Sequence, residues 1–224
     1  DIQLGKSESV ADTAAVLSRY LDGITYRCFK HSDAQLLASS ATVPVINALS
    51  DMHHPCQAAA DLMAITENKK ELGGHISWVG DGNNMANSWI HASKVFNFKL
   101  RLACPNERLP DNHIIQWAKD NLVDIEIMDD PLKACKDADA ICTDTWVSMG
   151  DEKDSERRLS SFSSYQISPT VMDKAKNDAL FLHCLPAIRG QEISVDMLDD
   201  PRSKVWEQAE NRLHAQKSLL LAIL

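Results

Sequence analysis

Val79-Gly80-Asp81-Gly82-Asn83-Asn84-Met85 joins an apolar run, Ile76–Gly80, to an amphipathic segment, Asn84–Phe96. A strand that passes through a glycine-bearing turn into a helix is the repeating unit of an α/β protein with a mostly parallel sheet. The alternation continues on both sides of that turn. It predicts strands at Ile24–Phe29, Val43–Ala48, Lys99–Cys104, Ile125–Met128, Ala138–Thr143 and Ala179–Cys184. Between them it predicts helices at Ser9–Leu21, Gln57–Asn68, Asp111–Asn121, Pro131–Lys136 and Pro169–Lys176. A last helix is expected from Ser203 to the end, with Trp206, Ala209, Leu213 and Leu220 on one face. Gly150–Ser164, rich in charge and poor in apolar residues, reads as a loop with a solvated surface.

The 224 residues are 44% hydrophobic and 25% charged, the balance of a soluble globular protein with room for one large domain or two small ones. With 23 Lys+Arg against 32 Asp+Glu the net charge is −9, which argues against non-specific nucleic-acid binding. No apolar run approaches the roughly 20 residues that span a bilayer. Asp1–Lys6 lacks the charged lead and apolar core of a secretory signal. The 6 cysteines form no CxxC pair and are expected to be reduced thiols of an intracellular protein.

Four clusters carry polar chemistry. The Gly80–Met85 turn supplies G-x-G but has Met85 where a third small residue is wanted, and Leu100–Pro105 holds no acid for a ribose. A nicotinamide dinucleotide is therefore weakly supported. The glycines suit a tight turn, and Asn83 or Asn84 can face a polar ligand at the carboxyl ends of the strands. In His53-His54-Pro55-Cys56-Gln57, Pro55 restricts His54 to extended geometry and suits a first helical turn, so His54 projects near a helix N-terminus. Imidazole and the Gln57 amide there can bond a carbonyl or phosphate oxygen. A zinc reading lacks a second ligand cluster. Phe181-Leu182-His183-Cys184-Leu185-Pro186 brings Cys184 to the same sheet edge. Thr143-Asp144-Thr145-Trp146-Val147-Ser148-Met149-Gly150 offers a carboxylate for an ammonium group, then a turn for a carboxylate.

Taken in order, His54-Pro55-Cys56-Gln57, Gly80-Asp81-Gly82-Asn83-Asn84, Asp144 with Ser148-Met149-Gly150, His183-Cys184-Leu185-Pro186 and Glu210–Lys217 resemble the ornithine carbamoyltransferase family over essentially the whole chain. The resemblance implies a two-domain α/β fold with parallel sheets flanked by helices. It places a partial carbamoyl-phosphate-binding domain at 1–57, with the helix 203–224 returning to it, and an ornithine-binding domain at 58–202. It implies transfer of a carbamoyl group from carbamoyl phosphate to the δ-amine of ornithine, giving citrulline and phosphate, as in arginine biosynthesis. Neither cofactor nor metal is implied. The protein would be a homotrimer or a multiple of trimers, with no nucleic-acid or membrane partner, in the cytoplasm or, in a eukaryote, the mitochondrial matrix.

Carried over residue by residue, Gln3, Arg27, His54, Gln57, Cys184, Leu185 and Arg212 would contact carbamoyl phosphate, Gln3 reaching a neighbouring subunit's site. Asn84, Asp144, Ser148 and Met149 would hold ornithine. Cys184, His54 and Arg27 would be catalytic. Asp144 is expected on the α-ammonium and Cys184 beside the δ-amine, with His54 and Arg27 polarising the carbonyl. The sequence departs from the family in two places. Ile188 stands where many relatives have His, and the Ser-Thr-Arg-Thr phosphate motif has no counterpart. Arg157 and Arg158, in an acidic stretch, do not replace that motif. We therefore expect a first domain that is incomplete and a chain that is inactive by itself. The alternatives are a putrescine-type transferase, or a non-catalytic fragment that keeps the amino-acid half-site.

Overall fold

The computed structural model describes residues 8–69, 74–147 and 154–224. Gln3, Ser148 and Met149 lie outside the described residues. The expected strands are present as β1 (Ile24–Arg27), β2 (Val45–Leu49), β3 (His75–Val79), β4 (Lys99–Ala103), β5 (Ile125–Met128), β6 (Ala140–Thr143) and β7 (Leu180–His183). Every strand pair is parallel. β1 and β2 form a small sheet, and the other five form a sheet of order β5-β4-β3-β6-β7.

Both faces of the large sheet are covered, which is why β6 and β7 are buried at every position. Alternate residues serve opposite cores. Trp78, Leu102 and Leu182 pack on one side with Trp89 and Ile90 of α4 (Asn84–Phe96). Val79, Ala103, Ile141 and Phe181 pack on the other with Trp146, Phe162 and Met172. The small sheet has its own cluster of Ala14, Ile24 and Leu37, from α1 (Val10–Leu17), β1 and α2 (His31–Ser40). Helix α3 (Pro55–Lys69) leaves β2 and packs on α4 and on the last helix, α9 (Val205–Ile223). The remaining helices are α5 (Asn112–Asp120), α6 (Pro131–Cys135), α7 (Ser155–Phe162) and α8 (Pro169–Met172).

The chain runs outward from β3 to β4 and β5, then returns to lay β6 and β7 on the other flank of β3. A crevice opens beyond the carboxyl ends of β3 and β6, where the order reverses. The turn after β3 needs its glycines for backbone reasons. Gly80 has φ +135°, and a Cβ on Gly82 would lie 2.2 Å from the backbone of Leu109 and Pro110.

Three expectations are corrected. Helix α2 was not anticipated, because its short stripe, Ala34 and Leu37, is too sparse to stand out. Gly150–Ser164 is not simply a loop: Ser155–Phe162 is helix α7, with Arg158 and Phe162 buried one turn apart. The charge run hides this because Arg158 is neutralised inside the protein by Asp81, 2.6 Å away. Finally, α9 does not bury the face of Trp206 and Leu213, which are 57% and 67% exposed. It buries Val205, Gln208 and Asn211 instead. The reason is its neighbour: Asp61 and Glu67 of α3 need donors, which Gln208 and Asn211 supply at 2.6 and 2.7 Å. Among the described residues no helix is long and apolar enough to cross a membrane.

Phe162 stacks on Trp146 with ring centroids 5.7 Å apart and is fully buried. Phe162→Ala is expected to lower stability in urea denaturation by about 3–5 kcal/mol, the cost of a large core cavity. Arg157→Ala, on the exposed side of the same helix, should change it by less than about 0.5 kcal/mol.

Candidate active site

Helix α4 begins at the β3 turn, and its cap builds one wall of the crevice. Asn83 accepts from the Met85 and Ala86 N–H groups through Oδ1, satisfying two of the free donors at the helix start. Its amide NH2 is thereby turned outward and donates to Asp144 Oδ2 at 2.8 Å. Asp144 Oδ1 accepts from the Thr145 N–H at 2.7 Å and from the Cys184 thiol at 2.9 Å. Three donors from the ends of β3, β6 and β7 thus hold one carboxylate. Burial, then the adjacent Asp144 charge and hydrogen bond, push the Cys184 thiol well above its ordinary pKa. At neutral pH it is a proton-bearing donor and not a thiolate.

The opposite wall belongs to α3 and α9. His54 precedes the first turn of α3, and its backbone N–H donates to Ser88 Oγ at 2.8 Å, which pins it against α4. Desolvation, helped by the positive charges of Arg212 and Arg27, lowers the His54 pKa to about 4. The imidazole is neutral at pH 7, and its buried Nδ1 has no partner among the described residues. An unpaired buried ring nitrogen costs stability unless a ligand meets it. Gln57 accepts from Arg212 Nη1 at 2.6 Å and donates to Asp61 Oδ1 at 2.7 Å. Asp61, 2% exposed, also accepts from Gln208 Nε2 at 2.6 Å. Burial raises its carboxyl to about 7 despite those donors and the nearby Arg212.

These walls enclose a cleft of about 830 Å³. Of the residues expected from sequence, Arg27, His54, Gln57, Asn84, Asp144, Cys184, Leu185 and Arg212 all line it. Arg27 pairs with none of the described carboxylates. Leu185 has φ +52° and a cis bond to Pro186. Asn84 turns its NH2 to the Ser50 carbonyl at 2.8 Å, so its own part in the wall is tied down. His53 does not line the cleft; it sits edge-on between His31 and His91, with centroids 5.0 and 4.8 Å away. The lining carries both signs of charge, the guanidinium groups of Arg27 and Arg212 beside neutral His54, and the carboxylates of Asp144 and Asp51, while Asp81 and Arg158 pair with each other. Such a cavity suits an anion beside an ammonium group. Among the described residues no group of His, Cys, Asp or Glu is placed to hold a metal ion.

Sequence reading missed four residues of this region. Asp61 stands one helical turn from Gln57, and Gln208 one turn from Arg212, spacings that place each pair on one helix face. Asp81 and Arg158 also line the cleft as a buried ion pair. Nothing in the charge run around Arg158 distinguishes it from Arg157, and only the tertiary fold turns it inward.

Residues 1–67 match the carbamoyl-P binding domain model of aspartate/ornithine carbamoyltransferase, and residues 72–223 match that family's Asp/Orn binding domain model. The chain is 48% identical to the anabolic ornithine carbamoyltransferase of Pyrococcus furiosus, with all of this chain and 73% of that protein covered. It is also 48% identical to the ornithine carbamoyltransferase of Methanocorpusculum labreanum, covering 100% of this chain and 74% of that one. The solved structure of the Pyrococcus furiosus enzyme superposes with a TM-score of 0.93, again with 100% and 73% coverage. That of the anabolic enzyme of Campylobacter jejuni, 37% identical, gives 0.94 with 100% and 76% coverage.

The buried ionisable groups make stability depend on pH in two senses. Neutral His54, His53 and His75, each lowered from 6.5 to about 4, contribute stability that is present above pH 6.5 and lost as pH falls toward 4. Asp61 acts oppositely. Its folded pKa of about 7 lies above the ordinary 3.8, so the folded state holds a proton the unfolded state has released, and stability falls as pH rises between those values. Asp61→Asn keeps an acceptor oxygen without the charge. Its urea midpoint relative to wild type is expected to rise from pH 4 to 7 and stay level above. A difference that does not change over that window would refute the assignment.

Proposed function

Because the chain belongs to the aspartate/ornithine carbamoyltransferase family, we propose that the protein transfers the carbamoyl group of carbamoyl phosphate to the δ-amine of ornithine, releasing citrulline and phosphate. The observation that carries this reading is one cleft lined both by the cations Arg27 and Arg212, with neutral His54 beside them, and by the carboxylate of Asp144. Its direction of use is citrulline formation in arginine biosynthesis, and its setting is the cytoplasm or, in a eukaryote, the mitochondrial matrix.

In this reading Asp144 receives the α-ammonium of ornithine. Its two oxygens are held by Asn83, Thr145 and Cys184, so the carboxylate cannot swing away. Cys184, proton-bearing, keeps Asp144 in place and faces the side chain of the bound amino acid. It neither attacks the carbonyl nor forms a covalent intermediate. Ser148 and Met149 receive the α-carboxylate, and Asn84 orders the wall beside it. For the other substrate, Arg27 and Arg212 take the phosphate, joined by Gln3 from a neighbouring subunit, while His54 and the backbone around Leu185 meet the carbamoyl group. The trimer is part of the same proposal.

The chemical problem is the amine. With a Lys-like pKa of about 10.4, the δ-ammonium costs roughly 4–5 kcal/mol to deprotonate at pH 7. A closed cleft reduces that cost by desolvating the cation and aligning the free amine with the carbonyl carbon. The nitrogen lone pair then forms the new C–N bond. Neutral His54 and Arg27 donate to the carbonyl oxygen as it gains charge, a preorganised set worth about 3–4 kcal/mol per donor. Collapse breaks the bond from carbon to the phosphate oxygen, and the departing phosphate can carry away the nitrogen's proton.

We take residues 1–57 with 203–224 as the carbamoyl-phosphate unit and 58–202 as the ornithine unit. The support is the two separate sheets, bridged by α3 and α9.

The test is product formation by the full-length protein. Ornithine should yield citrulline, and putrescine should be a far poorer acceptor; the reverse preference would assign a diamine transferase. Asp144→Asn should raise the ornithine KM by about 10–100-fold, the loss of charge-assisted bonds, with inhibition by phosphate unchanged. Full turnover and ornithine affinity in Cys184→Ser would remove the thiol from the mechanism.

A further inference from the structure

Helices α3 and α9 press polar side chains into a buried interface, and the contact runs through one carboxylate oxygen. Asp61 Oδ1 accepts from Gln57 Nε2 at 2.7 Å and Gln208 Nε2 at 2.6 Å. A primary amide has one donor end and one acceptor end, so each bond decides which end faces the other way. Gln57 is left presenting Oε1 to Arg212 Nη1 at 2.6 Å. Gln208 is left presenting Oε1 to the backbone N–H of His183 at 2.9 Å. If either amide flipped, its NH2 would face another donor and its carbonyl would face Asp61 Oδ1, the oxygen that accepts from the other amide, an arrangement a buried site does not tolerate.

From His183 the path continues. Its Nδ1 accepts the Leu185 N–H at 2.9 Å, which ties the loop that carries Cys184. Cys184 in turn bonds Asp144 at 2.9 Å. An unbroken series of hydrogen bonds therefore runs from Arg212 through Gln57, Asp61 and Gln208 to the loop holding the thiol. Neither Asp61 nor Gln208 lines the cleft, so neither touches a ligand there. An apolar pair at 61 and 208 could fill the same space, but could not dictate the orientation of Gln57 or reach the His183 N–H.

We propose that Asp61 and Gln208 are positioning residues that couple the two half-sites, holding Gln57 and Arg212 in register with the His183–Leu185 loop so that a ligand on one side improves the fit on the other. This rests on the functional reading above for the identity of the ligands, and on the geometry alone for the link.

The link is read first without ligand, by amide hydrogen exchange on the full-length protein. Exchange at His183 and Leu185 should quicken in Gln208→Leu and Asp61→Leu and stay as in wild type in Asp61→Asn, whose oxygen can still accept both bonds. Unchanged exchange in the leucine variants overturns the proposal, even if the protein makes no citrulline and the functional reading has failed. Coupling is then measured by calorimetry with carbamoyl phosphate and L-2-aminopentanoate, which keeps the α-amino acid but lacks the δ-amine. In wild type each ligand should tighten the other by about tenfold, within the usual range of coupling between sites. Gln208→Leu should keep carbamoyl-phosphate affinity while that coupling disappears, and Asp61→Asn should keep most of it. Equal loss of both affinities in Gln208→Leu, or wild-type coupling, overturns the proposal. If Asp61→Leu does not fold, Gln208→Leu and Asp61→Asn decide the matter.

Discussion

All five strands of the large sheet run the same way, so all of their carboxyl ends share one edge. Parallel strands cannot be joined by hairpins; each return must cross over a face of the sheet. The turn after β3, the loop after β6 and the loop after β7 are therefore gathered where the strand order reverses. Asn83, Asp144 and Cys184 lie far apart in sequence, yet they meet on one carboxylate because the topology leaves their loops nowhere else to go. The remaining polar groups of the cleft are arranged around that point.

The second wall has a different physical basis. The two cores of the large sheet are built mainly of apolar side chains, with Trp78, Trp89, Leu100 and Phe181 almost wholly buried. Between α3 and α9 the buried groups are Gln57, Asp61, Gln208 and Asn211. Burying a carboxylate with amide partners contributes little stability by itself, because desolvation offsets most of the attraction. What it supplies is direction. Each amide in the chain has one permitted orientation, and the guanidinium of Arg212 and the loop at His183 take their places from it.

Much of the frame could be read without coordinates. The apolar runs at β3 to β7 are long and flanked by turn residues, so their existence and order followed from pattern alone, with ends off by a residue or two. The motifs at His54, Asn84, Asp144 and Cys184 were visible because each follows a strand or opens a helix. Helix α7 was not visible, because a single arginine neutralised by a distant aspartate looks the same as any other in a charge run. The exposed apolar side of α9 was also unreadable. Hydrophobic periodicity indicates the inner face only when the neighbouring surface is apolar, and here α3 presents acids and amides.

From sequence alone came the fold class, the loops that carry chemistry and the family they resemble, because those depend on local patterns of apolarity, turns and short motifs. Tertiary structure decided the rest. The thiol of Cys184 points to Asp144, Arg158 is internal, and Asp61 faces two amides at once. Each of these is a contact between residues distant along the chain, set by how sheets and helices stack. No local propensity encodes which of several similar side chains the packing will bring within 3 Å of another.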